Sequence, residues 1–333
     1  MLFKMSNRCL FFSLCVIFCT SVVFAQKTFT EKFLKMGSSF EVIVVAKNKE
    51  VADGFIAMAK NEISRIENLI SSWDSNSETS KINQNAGVKP VKVSKELWDL
   101  IERSQKLSQL TSGAFDISYA AVDKIWTFDG CDSELPAEAV LKRSVAKIGY
   151  QKIRLNQKDQ TVFLSQVGMK IGFGAIGKGY AADRAKETLV AAGASGGIIN
   201  ASGDMNTWGT QADGSDWNVA IVNPLNSKKV FSWFSIEQQA VVTSGDYERF
   251  TTIAGERYSH IIDPRTGMPA KGILSCTIFA PRAELADALA TATFVMGTTA
   301  GIFLINQLPK VEAIIIDAMG RIHTSKNIKI EDD

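Results

Sequence analysis

The chain is poor in the residues that staple small secreted folds: its 333 residues include 5 cysteines, and only 2 histidines. Cys9, Cys15 and Cys19 lie close to the N-terminus, so Cys131 and Cys276 alone remain for the body of the protein. That excludes a disulfide scaffold and leaves at most one bridge, whose state the sequence does not set. Excess charge is missing as well. Lys and Arg number 37 against 35 Asp and Glu, and loss of Lys4 and Arg8 with the leader described next brings the two signs level. No polyanion-binding surface is indicated, and nucleic acid is not an expected partner. Internal repeats and low-complexity segments are absent too.

The N-terminus, MLFKMSNRCLFFSLCVIFCTSVVFAQ, has basic residues and no acid, then an apolar run from Leu10 to Phe24 that closes on Val23-Phe24-Ala25, a small-residue cleavage site. This is the pattern of a secretory signal peptide over residues 1–25, with residues 26–333 as the mature domain. The apolar run is short against the roughly 20 residues that span a bilayer, so cleavage is expected, with membrane anchoring as the alternative. Leu14 before Cys15 and Phe18 before Cys19 are not the small residues that lipidation needs. A periplasmic or otherwise exported location follows.

With 46% apolar residues the chain can bury a sizeable core. Residues 38–46 alternate like a strand, and 51–72 and 94–110 repeat apolar residues at helical spacing. The link between those helices, WDSNSETSKINQNAG, reads as a polar, turn-rich connection. Pro136 is placed to start another helix. Strand-like runs follow at 152–156, 161–164 and 169–173, then a glycine-rich turn and a helix over 180–192. Beyond it we expect strands at 197–201, 217–222, 230–236, 240–243 and 274–279, helices at 283–296 and 299–306, and strands at 311–316 and 321–323. Ile330-Glu-Asp-Asp333 reads as a solvated tail. Without regular βαβ alternation the fold class is α+β, mixed sheets with flanking helices.

Gly172-Phe-Gly-Ala-Ile-Gly-Lys-Gly179 satisfies G-x-G-x-x-G and falls one residue short of a P-loop. Gly179 stands where the P-loop needs a hydroxyl, and the acid that a dinucleotide fingerprint requires about 20 residues on is missing. What both motifs share remains: glycines that admit phosphate to main-chain amides, the mobile cation Lys178, and a helix N-terminus. A pyrophosphate ligand and a plain strand-to-helix turn with a surface lysine are both open here. Further on, Asp287 and Thr291 lie four apart, on one face of a helix of small residues. A carboxylate, a hydroxyl and a main-chain carbonyl are hard oxygen ligands suited to Mg²⁺, although a lone Asp near a helix start is also an ordinary cap.

Taken in order, Met36-Gly37, Ser71–Asn83, Ser112–Asp116, Gly174–Asp183, Asn200–Asp204, Thr243–Tyr247, His260–Gly267 and Ala286–Thr291 resemble the motifs of the ApbE family, the FAD:protein FMN transferases. The resemblance runs from about residue 36 to 297. Two positions depart from it: Gly172 stands where the family commonly has Asp, and Ser202 where it commonly has the first Gly of Gly-Gly-Asp. The resemblance implies an ApbE-like, T-fold-related architecture, with FAD in a cleft between two subdomains. It implies Mg²⁺, with Mn²⁺ as the alternative, held at the FAD pyrophosphate by the Ala175 carbonyl, Asp287 and Thr291. For FAD itself it implies Met36, Gly113, Phe115 and Asp116 from the first half of the chain. Lys178, Tyr180, Asp183, Thr243, Ser244, Gly245 and His260 complete that set.

The implied reaction is attack by an acceptor Ser/Thr hydroxyl on the FMN-side phosphorus, with AMP leaving and FMN retained as a phosphoester. His260 and Lys178 are the implied catalytic residues. A neutral imidazole of ordinary pKa, about 6.5, would take the hydroxyl proton, and Lys178 with the metal would neutralise charge. His323 matches no motif and is assigned no chemistry. Implied acceptors carry a D-G-x-[ST]-x-x-T type motif in envelope redox complexes, membrane-associated ones among them; this chain has no convincing copy, so self-modification is not expected. Two other functions would use the same residues: an FAD pyrophosphatase, with water as acceptor, and a non-catalytic flavin-binding protein, which needs no base.

Overall fold

Strand β1 (Lys27–Lys35) turns through Met36-Gly37, both at positive φ, into β2 (Ser38–Ala46). The computed structural model describes residues 26–122, 125–129, 134–225, 230–236, 238–247 and 249–328. The expectations placed on the leader, on Cys131 and on the C-terminal tail fall outside them. Among the described residues no helix is long and apolar enough to cross a membrane.

Helix α1 (Lys49–Ile70) follows, capped by the Asn48 side chain, with Ala52, Ile56, Ala59, Ile63, Ile66 and Ile70 as its buried stripe. Then come α2 (Glu78–Gln84), β3 (Val91–Lys92), α3 (Lys95–Leu110), α4 (Glu138–Val145), β4 (Ile153–Asn156) and β5 (Thr161–Leu164). Helix α5 (Gly177–Ala191) leads into β6 (Gly197–Ala201), β7 (Asp204–Trp208), β8 (Trp217–Val222), β9 (Val230–Ile236) and β10 (Ala240–Gly245). The chain continues through β11 (Phe250–Ile253), β12 (Glu256–Ser259), β13 (Ile273–Ala280), α6 (Ala283–Met296), α7 (Thr298–Ile305), β14 (Glu312–Asp317) and β15 (Ile322–Thr324).

Eight of these strands form one sheet in the order β1-β2-β6-β7-β10-β13-β14-β15, and every pairing in it is antiparallel. Strand alternation sends neighbouring side chains to opposite faces. Val242, Ile278 and Ile315 therefore join the main core under α1, α5 and α6, while Val241, Phe279 and Ile314 pack beneath the β8–β9 hairpin. A second, smaller core of Val122, Trp126, Ile148, Ile253, Tyr258 and Ile262 ties the β11–β12 hairpin to the Trp126 segment, with Leu141 of α4 against it.

Two local expectations are corrected. Residues 169–173 are not a strand, because their main chain is paired by a side chain: Asn83 accepts from Ile171 N–H at 2.8 Å and donates to Ile171 C=O at 2.9 Å. Gly172 N–H goes to Ile117 C=O at 2.8 Å, which occupies the next donor. The polar link after α1 contains α2, a helix started by Ser77, whose hydroxyl accepts from Ser80 N–H at 2.9 Å.

Candidate functional site

The cleft begins where the central sheet parts. Strand β10 pairs with β7 only through Ala240–Asn206 and Val241–Met205, yet it stays with β13 as far as Gly245–Ser275. Asp204, the first residue of β7, stands one position beyond the last β7–β10 pair. It follows the tight β6–β7 turn at Ser202-Gly203, both at positive φ, where Gly203 N–H is held by the Asn200 side chain at 2.8 Å. Lys178, in the first turn of α5, brings its Nζ to 2.6 Å from Asp204 Oδ2, with 23% of the lysine side chain and 1% of the aspartate exposed. Burial pushes the Asp204 carboxyl up and the Lys178 ammonium pulls it back.

Helix α5 can take this position because Gly179 has no side chain. A Cβ there would sit 2.2 Å from Ala283 C=O and 2.9 Å from Asp287 Cβ. Instead Gly179 N–H donates to Asp287 Oδ2 at 3.1 Å, so a carboxylate from α6 meets the positive end of α5. Asp287 is buried and Thr291, one turn on, is half-buried. The Met36 side chain reaches the same helix start, 3.7 Å from where a Gly177 Cβ would be.

His260 forms the opposite wall. Its N–H and its Nδ1 both point at Arg249 C=O, at 3.0 and 3.2 Å. A carbonyl only accepts, so Nδ1 carries the proton and Nε2 keeps its lone pair. Burial, followed by the Arg249 and Lys178 charges, outweighs the Arg249 hydrogen bond and lowers the pKa to about 4. This lies below the ordinary basicity expected from the sequence: the imidazole is half-buried and feels two cations. Phe128 meets the ring edge-on at 6.5 Å. The Asp-Pro-Arg-Thr-Gly turn that follows is closed by Gly267 N–H to Asp263 C=O at 2.8 Å and held by Trp126 Nε1 to Gly267 C=O at 2.9 Å. Arg249 also spans the cleft, its guanidinium 3.5 Å from Gly37 C=O in the β1–β2 turn.

Other expected site residues have different surroundings. Phe115 is in the main core; Asp116 is buried and accepts from Ser118 and Tyr150 N–H at 2.8 and 2.7 Å; Gly113, at φ 77°, lies just past the end of α3. Tyr180 donates to Glu96 Oε1 at 2.7 Å and lies under Arg103, away from Lys178. Asp183 accepts from Ala283 and Glu284 N–H at 2.8 and 3.1 Å and so caps α6, with Asn206 on the same carboxylate. Thr243 shares a 2.8 Å hydroxyl contact with Thr277, and Ser244 and Gly245 end the strand that lines the gap. His323 pairs with Asp317 at 2.9 Å on the β15 edge.

Sequence reasoning gave no role to Asp204 or Arg249. Asp204 lay in a motif without an assigned function, and Arg249 precedes a short strand that periodicity did not reveal. As to a metal, no group of three or more His, Cys, Asp or Glu gathers among the described residues. Asp287 and Thr291, one turn apart on α6, are oxygen donors of the kind that a hard cation takes.

The ApbE family profile matches residues 36–315. A Treponema pallidum protein named FAD:protein FMN transferase is 34% identical over 277 residues, 79% of this chain and 76% of its own length. A Klebsiella pneumoniae protein of the same name is 30% identical, over 87% of this chain and 90% of its own. Among solved structures, the ApbE protein of Thermotoga maritima is 29% identical with a TM-score of 0.83, covering 90% of this chain and 97% of that one. The Vibrio cholerae flavin transferase ApbE, 24% identical, shares the fold at a TM-score of 0.80 over 90% of this chain and 98% of its own. The chain belongs to the ApbE family, and it is an enzyme.

Proposed function

We propose that this enzyme moves the FMN moiety of FAD onto a Ser or Thr hydroxyl of an acceptor protein, releasing AMP. The observation that carries the proposal is the pairing of His260 Nδ1 with Arg249 C=O at 3.2 Å, which leaves Nε2 of the neutral ring as a proton acceptor near enough to Lys178 to feel its charge. Nε2 removes the acceptor proton as the hydroxyl oxygen bonds to the FMN-side phosphorus. The phosphoanhydride bond breaks and AMP takes the electron pair. Lys178 offsets charge on the phosphoryl oxygens as the leaving group departs. Mg²⁺, or Mn²⁺ in its place, held by Asp287, Thr291 and the Ala175 carbonyl, would supply further charge neutralisation at the pyrophosphate. Met36 and the Thr243–Gly245 edge border the space left for the flavin half of FAD. The leader sequence supports an exported enzyme, acting on envelope redox proteins with a D-G-x-[ST]-x-x-T type motif.

The test is intact-mass spectrometry of such an acceptor domain after incubation with the mature enzyme, FAD and Mg²⁺, beside an EDTA control. A metal-dependent gain of one FMN with release of AMP is expected. Free FMN and AMP with an unmodified acceptor would make the enzyme a pyrophosphatase, and intact FAD throughout would make the chain a flavin-binding protein. His260→Ala is expected to lose at least about a hundredfold in transfer, the usual worth of a general base, while binding FAD nearly as the parent does. Unchanged transfer by that variant would remove the base from the mechanism.

A further inference from the structure

We infer that Asp204 is a positioning residue for the reaction, fixing the Lys178 ammonium at the mouth of the parted sheet, and that this is the task of the Asn200–Asp204 motif. The inference rests on the proposed transfer reaction. Its first support is geometric. Lys178 leaves the first turn of α5 on a side chain with four rotatable carbons, and a free lysine of that kind samples many directions. Here its Nζ is 2.6 Å from a carboxylate oxygen that is almost wholly buried.

The second support is how that carboxylate is placed. Asp204 follows a two-residue turn in which Ser202 and Gly203 both take positive φ, at 59° and 102°. Asn200, on the other strand of the hairpin, accepts from Gly203 N–H and fixes the turn. Two positions further along β7, Asn206 donates to Asp183, the residue that caps α6. One short strand thus ties the Lys178 carboxylate to the helix that carries Asp287 and Thr291.

The third support is economy of explanation. A buried charge is costly unless paired, and breaking such a pair leaves its partner uncompensated. A carboxylate kept where the β7–β10 pairing has already ended, with its charge turned to Lys178, has its use at that gap.

The experiment is a double-mutant cycle on the mature enzyme: parent, Asp204→Asn, Lys178→Met and the double variant, with Asp204→Glu as a conservative replacement. FMN transfer gives kcat and the KM for FAD, and flavin fluorescence gives the FAD dissociation constant without relying on transfer. Asp204→Asn is expected to lower kcat about tenfold or more with no rise in KM, because the loss is of direction and not of charge at Lys178. In the Lys178→Met background the Asp204 effect on rate should shrink to within about twofold. Asp204→Glu should recover part of the rate, since it restores the charge on a longer arm.

Parent kcat in Asp204→Asn, or the same loss with and without Lys178, would overturn the inference. Should Asp204→Asn fail to fold, Asp204→Ser takes its place in the cycle: a lowered kcat that vanishes in the Lys178→Met background supports positioning, and parent kcat or the same loss in both backgrounds refutes it. A parent that binds FAD without transferring FMN would refute the proposed function. A melting-temperature cycle over the same four proteins, in which the Asp204 effect should shrink once Lys178 is gone, would then still accept or reject the Lys178–Asp204 coupling.

Discussion

His260 has the chemistry of a base at a cost in basicity. In the substrate-free protein its titration, followed by NMR of the ring protons, should have a midpoint at about 4. A midpoint at the ordinary value of about 6.5 would mean that the ring is solvated and the wall open. Arg249→Gln removes a cation while leaving the main-chain carbonyl that orients Nδ1, so the midpoint should rise; no rise would assign the depression to burial and Lys178. The same shift has a stability consequence with a definite sign. The folded-state pKa lies below the unfolded one, so the neutral ring's contribution is intact above about pH 6.5 and is lost as the pH falls towards 4. Urea melts at pH 7 and pH 5 should therefore show a larger loss for the parent than for His260→Gln. Equal losses would place the acid sensitivity elsewhere.

Among the elements, the contact between α5 and α6 sets where Asp287, the carboxylate of the proposed metal site, stands. Gly179→Ala would drive a methyl group into Ala283 C=O, and helix separation or strain of about 1–3 kcal/mol is expected by denaturant melting. The same variant should weaken Mg²⁺ binding measured by calorimetry in the presence of FAD, because Asp287 loses its bond from Gly179. Parent stability would show that the two helices can part freely.

Several elements were plain in the sequence. Strands β5, β6, β8 and β9 and helix α6 begin and end where the sequence pattern predicts. Strand β1 was not seen, because this edge strand has charged residues through its length and little burial to set a period. Short β7, β11 and β12 were missed for lack of residues over which to alternate. At 169–173 the apolar pattern was real, but Asn83 took the partner strand's place, and no local signal reports a bond 88 residues away. The site divides the same way. Lys178, His260, Asp287 and Thr291 enter the candidate site from local motifs, whereas the Asp204 and Arg249 contacts exist only once the sheet and the turns are assembled.

For the molecule as a whole, what matters is that the cleft lies between two cores of unequal size. Lys178, Asp287 and the end of β10 belong to elements of the extensive main core, and His260 follows a hairpin seated on the six buried residues of the small one. Fewer buried contacts mean a lower free energy of local opening, so the β11–β12 hairpin should exchange its amide hydrogens faster than β10 or β13 in the FAD-free protein. A substrate that touches both walls stabilises the closed arrangement by mass action. Saturation with FAD and Mg²⁺ should therefore slow exchange in β11–β12 and at Thr243–Gly245, and leave β14–β15 at the far side of the sheet unchanged. Equal protection of all these segments before and after ligand would mean that the small core is already rigid, and that His260 is brought to the phosphorus by the fixed frame and not by closure.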